Sequence, residues 1–401
     1  MKTLELLNKD VVVLSFRYDE ELHRIESIDT IEDSAFAPPG LVGPSGNITL
    51  KNLIRWWAHR SIPASRAQIE RLKSALRIET TVELLEKSLA LSLSDRYWVR
   101  EQGQQLAWSE VNFFDNDFTG ELGIYTLEPS SSPVVAQLGE RGLLNPNSSV
   151  GGNLPKKWVI ENGVRYLVKN GSQNYDQDIY NEVVATSLHR RLLCEEEYVS
   201  YELVHIGNGI YCRCPELLAD NEELVTIDDL LRRHVDDHDF GSCLSVRKAL
   251  LETGLPSEQI DEGLSKLFTC DYILANSDRH TNNFGVIRDV STLEYKRLAP
   301  VFDTGFSLWC DKRELAYPSD YDYVARPFVN TPEPYRQLRL LDSYDWFDAD
   351  ALSGWIEEAR SILEVDSLIP EERLDAICRG LERTVFQTCE RVKRATGRGL
   401  M

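Results

Sequence analysis

The stretch LANSDRHTNNFGVI, residues 274–287, places a run of polar side chains between two apolar segments. Asp278 and Asn283 lie five positions apart within this run. The D-x-x-x-x-N spacing is typical of the loop that supports phosphoryl transfer, in which the carboxylate orients an attacking hydroxyl and the amide oxygen ligates Mg²⁺. The pair alone is a weak signal, because a solvated turn after a helix has a similar composition.

A second carboxylate strengthens this interpretation. Asp303 lies twenty residues beyond Asn283, directly after the apolar run in RLAPVFDTGF and before Thr304 and Gly305. A carboxylate that ends a buried strand beside a glycine can reach a metal ion while its support stays rigid, which is the role of the second Mg²⁺ ligand in a kinase. A carboxylate in an ordinary strand-ending turn is the alternative.

A lysine and a glutamate occur upstream in the order that such a site requires. The segment VRYLVKNG, residues 164–171, alternates as a strand does and carries Lys169 near its end. Glu182 follows thirteen residues later in DIYNEVVATSLHRRLL, which predicts an amphipathic helix. A strand lysine that binds the α- and β-phosphates needs a fixed counter-ion, and a helix carboxylate supplies it. A surface lysine and a solvated glutamate are the alternative.

The segment before that strand, NPNSSVGGNLPKKWVI, is suited to covering phosphates. Gly151 and Gly152 let backbone N–H groups approach a phosphate closely, and Ser148, Ser149 and Asn153 add donors. The segment matches neither the G-x-G-x-x-G loop of ordinary protein kinases nor a Walker motif.

Taken together, the ordered set resembles the HipA-like serine/threonine kinases. NSDRHTNN is similar to that family's N-[ST]-D-x-H-x-x-N catalytic loop, and LAPVFDTG is similar to its L-A-P-x-[FY]-D strand end. SVGGNLPKKW resembles the family's S-[IV]-x-G-x-x-x-K phosphate loop. The resemblance is clearest over residues 145–310, and the joint pattern is more specific than any single piece.

The resemblance implies an α+β, bilobal protein-kinase-like fold with an added N-terminal subdomain. We expect a mostly helical N-terminal subdomain at residues 1–105. A small, β-rich N-lobe would follow at residues 106–213 and a mainly helical C-lobe at residues 214–401. The segment from Thr304 to about Asp348 is expected to select the acceptor, but it carries no pattern that identifies one.

Roles for individual residues follow from the resemblance. Asp278 is implied to be the catalytic carboxylate, Asn283 and Asp303 the Mg²⁺ ligands, and Lys169 the phosphate lysine held by Glu182. The other residues implied to bind the nucleotide are Ser149, Val150, Gly151, Gly152, Asn153, Pro215, Glu216, Leu217 and His280. Ser149 matches the loop serine that several family members autophosphorylate, which ejects the loop and switches the kinase off. Its phosphate would compete with ATP for the same N–H groups.

The predicted function is ATP- and Mg²⁺-dependent transfer of the γ-phosphoryl group to a Ser or Thr hydroxyl of a protein. A nucleotide-binding pseudokinase is one alternative, although a scaffold has no need of all five polar residues. A kinase of a lipid or small-molecule hydroxyl is another, since such enzymes also use D-x-x-x-x-N loops. The family resemblance adds a separate HipB-like antitoxin as a candidate partner, because the chain has no evident helix-turn-helix of its own.

The composition bounds the remaining classes. The chain has 401 residues and a net charge of −21, which disfavours broad binding to nucleic acid or anionic membranes. It has no apolar run of spanning length and no signal-peptide pattern, so we predict a cytoplasmic protein without a membrane partner. The eight scattered cysteines include no C-x-x-C pair and are expected to be reduced, mostly buried thiols.

Residues 51–77 form a strongly basic segment within this acidic chain and contain Trp56 and Trp57. One interpretation is a docking surface for a partner or for the acidic remainder of the protein. The other is a small tryptophan core whose arginines are solvated or paired within the chain.

Overall fold

The N-terminal region is built on an antiparallel sheet. The computed structural model describes residues 1–62, 70, 73–74, 78–118, 145–148, 155–234 and 241–397. The sheet has the strand order β3-β2-β1-β4. Its strands are β1 (Lys2–Asn8), β2 (Val11–Asp19), β3 (Arg24–Ile31) and β4 (Tyr97–Glu101). Leu4 and Leu6 of β1 and Phe16 of β2 are buried on the core face.

The helices α1 (Leu50–Arg60), α2 (Thr81–Lys87) and α3 (Trp108–Val111) accompany this sheet. The side chain of Thr49 caps α1 by accepting a hydrogen bond from the Asn52 N–H at 3.2 Å. Trp57 is 5 % exposed and packs edge-on against Phe16 at 6.1 Å between ring centroids. The helix therefore contributes its apolar face to the core of the sheet.

The expectation that residues 1–105 are mostly helical needs correction, since the described part of this region holds four strands as well as the helices. The helical periodicity between Lys51 and Leu89 dominated the sequence pattern, whereas strand pairing between residues about 90 positions apart has no local signature. One side chain of the basic segment supports the interpretation that its arginines are paired within the chain. Arg60 is buried and pairs with Asp95 at 2.7 Å. Arg66, Arg71 and Arg77 lie outside the described residues.

The second region carries a four-stranded antiparallel sheet with the order β5-β6-β8-β7. Its strands are β5 (Lys156–Glu161), β6 (Val164–Lys169), β7 (Glu202–Ile206) and β8 (Gly209–Pro215). Asn162 and Gly163 join β5 to β6 with φ values of 53° and 79°, which the tight two-residue hairpin turn requires. Helix α4 (Gln177–Leu192) packs between this sheet and the C-terminal helices, so most of its side chains are buried and it is not a one-faced amphipathic helix.

The third region combines a small antiparallel sheet with most of the helices. The sheet has the order β11-β10-β9 and consists of β9 (Glu222–Thr226), β10 (Gly285–Asp289) and β11 (Tyr295–Leu298). Its helices are α5 (Ile227–His234), α6 (Cys243–Leu251), α7 (Ser257–Ile273), α8 (Pro334–Leu338), α9 (Trp355–Glu364) and α10 (Glu371–Thr396). Within the described ranges, no helix combines the length and the apolar character that crossing a membrane requires.

The N-terminal region is bonded to the connection between the other two. Buried Arg96 donates to the carbonyl oxygens of Ala219 and Asp220 at 3.3 and 2.8 Å. Immediately beyond, the Leu224 N–H donates to the Ser94 carbonyl at 3.0 Å. This region therefore holds the segment that follows β8, where a kinase connects its two lobes.

Candidate active site

Three charged side chains from distant parts of the chain meet at one point. Lys169, the last residue of β6, donates through Nζ to Glu182 Oε1 at 2.6 Å and to Asp303 Oδ1 at 2.7 Å. The side chains of Lys169 and Glu182 are 4 % and 3 % exposed, whereas that of Asp303 is 31 % exposed. The lysine is thus buried between two carboxylates, and the carboxylate of Asp303 is the one that reaches solvent.

Charge pairing keeps Lys169 and Asp303 ionised. Burial alone would lower the pKa of Lys169, but the carboxylates of Asp303 and Glu182 outweigh that effect and raise the pKa well above its ordinary value. For Asp303, burial opposes ionisation, and the charges of Lys169 and Lys156 hold its pKa below its ordinary value. Burial raises the pKa of Glu182, although the Lys169 charge partly offsets this. Asp303 therefore stays anionic at neutral pH, as a metal ligand must.

A buried tyrosine that the sequence analysis missed completes the cluster. The Tyr201 hydroxyl oxygen accepts from Lys169 Nζ at 3.3 Å and from the Asp303 N–H at 3.4 Å. The Lys169 ammonium also lies 4.8 Å from the centroid of the Tyr201 ring, within the range of a cation–π interaction. Nothing in the sequence distinguishes Tyr201 from the other fifteen tyrosines.

The second carboxylate oxygen of Glu182 holds the backbone beyond Asp303. Glu182 Oε2 accepts from the Thr304 N–H at 2.9 Å. Gly305 passes so close to α4 that an added Cβ would lie 2.8 Å from the Asp178 carbonyl oxygen. Asp303 itself adopts a φ of 56°, in the left-handed region. The D-T-G sequence thus fits a tight turn in which only glycine can follow Thr304.

The predicted catalytic loop connects α7 to β10. The Asp278 N–H donates to Asn276 Oδ1 at 3.0 Å, and Asn283 Nδ2 donates to the Asp278 carbonyl at 3.3 Å. The latter bond uses the amide nitrogen of Asn283, so its amide oxygen is the atom that would ligate a metal. Burial raises the pKa of Asp278, against the lowering effect of the nearby His280 and Arg326 charges.

His280 lies inside the same loop. Its N–H donates to the Asp278 carbonyl at 2.7 Å, and its ring nitrogen Nδ1 accepts from the Asn282 N–H at 3.3 Å. Burial lowers the pKa of the His280 ring, although Asp278 acts in the opposite direction. The contacts fix the turn of the loop, while the expected contact of His280 with a nucleotide remains a prediction.

Arg279 connects the catalytic loop to the segment around Asp303. Its guanidinium is fully buried and pairs with Asp271 of α7 through Nε at 2.8 Å and Nη2 at 2.9 Å. Nη1 donates to the Asn283 carbonyl at 2.8 Å and to the Phe302 carbonyl at 2.5 Å. Nη2 also donates to Thr304 Oγ1 at 3.1 Å. One side chain therefore connects the backbone at Asn283 to the Phe302 backbone and the Thr304 side chain, which flank Asp303.

A cavity of about 370 Å³ opens beside these residues. Lys156 lies opposite Lys169 and Trp158 lies opposite Leu167 in the β5–β6 pairing, so the four side chains share one face of the sheet. Lys156, Trp158 and Leu167 line the cavity from above, and Phe302, the residue before Asp303, lines it from the C-lobe. The cavity therefore lies between the two lobes and adjoins the charged cluster through Leu167 and Phe302, although Lys169, Glu182 and Asp303 are not among its lining residues.

The N-terminal region supplies a further wall of the same cavity. Trp56 and His59 of α1 line it together with Asp95, which precedes β4. The sequence analysis did not place this helix near the cleft. The guanidinium carbon of Arg60 lies 4.7 Å from the Trp56 ring centroid, so the basic segment is in part a packed component of the cleft.

The remaining predicted nucleotide contacts have two outcomes. Residues 149–154, which include Ser149, Val150, Gly151, Gly152 and Asn153, lie outside the described residues, although the flanking Pro146 and Lys156 line the cavity. Pro215, Glu216 and Leu217 are described and lie where β8 ends, but they are not among the cavity-lining residues. Burial raises the pKa of Glu216 to about 7. The contact of Pro215, Glu216 and Leu217 with adenine stays a prediction.

The lysine-bearing sheet, the glutamate-bearing helix and the helical lobe with its two acidic loops define a bilobal kinase fold. A chain from the Shewanella oneidensis MR-1 toxin–antitoxin complex of HipA, HipB and operator DNA has this fold, with a TM-score of 0.53 and 15 % identity over 98 % of the present chain and 97 % of that chain. The Helicobacter pylori proinflammatory kinase CtkA matches with a TM-score of 0.50 and 19 % identity, over 62 % of the present chain and 93 % of CtkA. The prediction of a HipA-like kinase fold is confirmed. No family model and no curated protein matches the chain.

Proposed function

We propose that the protein is an ATP- and Mg²⁺-dependent kinase that transfers the γ-phosphoryl group to a Ser or Thr hydroxyl of a protein. The observation that carries the proposal is the contact of 2.7 Å between Lys169 Nζ and Asp303 Oδ1, which are 134 residues apart. Arg279 links the same loop to the backbone of Asn283, five residues from Asp278. These two contacts support the assignment of Lys169, Asp303 and the catalytic loop to one phosphoryl-transfer site.

The donor set fits a magnesium–nucleotide complex. Mg²⁺ is usually held by one or two protein oxygen ligands together with substrate phosphates and water. The Asp303 carboxylate and the Asn283 amide oxygen are such ligands, and the described residues contain no competing group of three or more His, Cys, Asp or Glu side chains arranged to hold a metal. When bound, Mg²⁺ would supply neutralisation of the phosphate charge.

Asp278 and Lys169 have different roles in the proposed transfer. Asp278 orients the acceptor hydroxyl and takes its proton, while Lys169 binds the nucleotide phosphates and is held in place by Glu182. Because the fold holds the Lys169 ammonium between two carboxylates, its position is fixed by the protein itself. This preorganisation lowers the barrier without a covalent protein intermediate.

The test is transfer of ³²P from [γ-³²P]ATP to the protein itself and to a proteome extract. The wild type should label a Ser or Thr residue in the presence of Mg²⁺, and D278N should abolish labelling while retaining nucleotide binding. Nucleotide binding without any transfer by the wild type would contradict the proposal and favour a pseudokinase. Labelling of lipid or small molecules alone would contradict the protein acceptor.

We also propose that Ser149 is a site of autophosphorylation that limits the activity, on the strength of the SVGGNLPKKW resemblance. Phosphopeptide mass spectrometry after incubation with Mg·ATP should find phosphate on Ser149. In S149A, activity should persist longer than in the wild type. Active protein without phosphate on Ser149 would contradict the switch and leave the kinase proposal intact.

A separate HipB-like antitoxin and a cytoplasmic location belong to the same proposal. The S. oneidensis neighbour was solved with HipB and operator DNA. Because that complex contains DNA, it does not support the expectation that the present chain avoids direct contact with nucleic acid. Fluorescence anisotropy of labelled duplex DNA with the purified chain would test that expectation, which the net charge of −21 still favours.

A further inference from the structure

An arginine outside all the predicted motifs contacts the catalytic carboxylate. Arg326 Nη1 donates to Asp278 Oδ1 at 2.9 Å, across 48 positions of sequence. The Asp278 side chain is 37 % exposed and the Arg326 side chain is 58 % exposed, so the pair lies at the open end of the site. Arg326 belongs to the segment after Thr304 that was expected to meet the acceptor.

Arg326 lies in a loop, residues 325–332, whose two ends are joined by hydrogen bonds. The Ala325 N–H donates to the Pro332 carbonyl at 2.9 Å. Gln337, which is 4 % exposed, donates through Nε2 to the Ala325 carbonyl at 2.9 Å and to the Thr331 carbonyl at 2.9 Å. A buried amide thus ties both ends of the loop together and fixes the backbone that precedes Arg326.

An aromatic anchor holds the same loop to the catalytic lobe. Phe328 is fully buried, and its ring centroid lies 5.0 Å from that of Phe268 in α7. Phe268 in turn packs edge-on against Phe284, the residue that follows Asn283, with 5.9 Å between the ring centroids. The loop that carries Arg326 and the catalytic loop therefore pack in one core. Much of the conformational entropy that must be lost to place Arg326 beside Asp278 is thus already lost when the chain folds.

Two other basic groups of the site are held by carboxylates other than Asp278. Arg279 is fully buried against Asp271 and backbone carbonyls, and Lys169 is held between Glu182 and Asp303. Among the described residues, Arg326 is therefore the arginine whose guanidinium binds the Asp278 carboxylate.

We infer that Arg326 is a positioning residue for phosphoryl transfer, which binds Asp278 Oδ1 and leaves Oδ2 to receive the acceptor proton. The inference rests on the proposed function. In the step, the acceptor oxygen forms a bond to the γ-phosphorus as the bond to the bridging oxygen breaks. The electron pair of that bond leaves on ADP, and the hydroxyl proton passes to Asp278. Arg326 keeps its proton throughout and favours one orientation of the carboxylate.

The experiment compares R326A, R326K and R326Q with R336A as a matched control. Arg336 lies in the same segment, is 69 % exposed, and pairs with Glu333 at 3.2 Å without contact to Asp278. The maximal rate of self-phosphorylation and the ATP concentration at half that rate are measured for each variant, with AMP-PNP binding as a check on folding. These readouts separate the transfer step from nucleotide binding.

We expect R326A and R326Q to lower the maximal rate by roughly tenfold to a hundredfold, with the half-saturating ATP concentration unchanged. R326K should recover part of the rate, and R336A should match the wild type. A wild-type rate in R326A would overturn the inference, and so would a faster rate, because Arg326 would then block the acceptor. Absence of transfer by the wild type would refute the proposed function itself and, with it, this inference.

Discussion

Two arginine–aspartate pairs in this protein have the same geometry and opposite environments. Arg279 binds Asp271 through Nε and Nη2 at 2.8 and 2.9 Å, and Arg247 binds Asp261 through the same two atoms at 2.6 and 2.8 Å. The side chains of the first pair are 0 % and 8 % exposed, whereas those of the second are 34 % and 32 % exposed. Replacing each arginine by methionine therefore compares the loss of a buried pair, with its additional hydrogen bonds, with the loss of a partly solvated pair.

The expected magnitudes differ severalfold. R279M leaves the Asp271 carboxylate buried without its partner, which costs about 3–5 kcal/mol of unfolding free energy. R247M leaves a solvated Asp261 and costs about 0.2–1 kcal/mol. The double variant R279M/D271N should recover part of the loss, because replacing both partners removes the uncompensated charge.

Urea unfolding followed by tryptophan fluorescence measures these differences, and AMP-PNP binding reports on the site. R279M should also weaken Mg²⁺-dependent binding, since Arg279 fixes the backbone at Asn283 and Phe302. Equal destabilisation by R279M and R247M would refute the argument that the buried pair holds the two loops together. So would a double variant that is less stable than R279M.

The pH dependence of stability provides two further predictions. Burial raises the pKa of Glu216 from 4.5 to about 7, so the folded state binds the proton more tightly and stability falls as the pH rises from 4.5 to 7. E216Q should therefore be more stable than the wild type at pH 8 by on the order of 3 kcal/mol and similar to it at pH 4, as measured by urea unfolding. Burial lowers the pKa of His189 from 6.5 to about 3, so protonation favours the unfolded state and stability falls as the pH drops below 6.5. Between pH 7 and pH 5 the wild type should lose about 2 kcal/mol that H189L retains, and an identical pH slope in the two proteins would contradict this.

The charged residues of the site could be predicted because their types and order are constrained by one chemistry. Lys169, Glu182 and Asp303 each sit at an element end or helix position that the local pattern indicates, and the structure brings them together. Tyr201 and Arg326 lie in none of the recognised motifs, so their contacts across 102 and 48 positions, respectively, could not be predicted.

The same distinction explains the fold. The β5–β6 hairpin has its Asn-Gly turn in the sequence, and the helices α4 and α10 have clear bounds. The N-terminal sheet depends on pairing β1 with β4 across residues such as Leu6 and Val99, and the intervening helical pattern concealed it. The wall that α1 adds to the cleft follows only from that tertiary arrangement.

Calorimetric titration of Mg²⁺ and AMP-PNP into the wild type and D303N shows whether the charged cluster forms a nucleotide site. If the buried lysine, its two carboxylates and the D-x-x-x-x-N loop form one nucleotide site, the wild type should bind one AMP-PNP per chain in a Mg²⁺-dependent manner. D303N should lose the Mg²⁺ dependence and most of the affinity. A wild type that binds no nucleotide, or a D303N variant that binds it with unchanged affinity and Mg²⁺ dependence, would contradict the account.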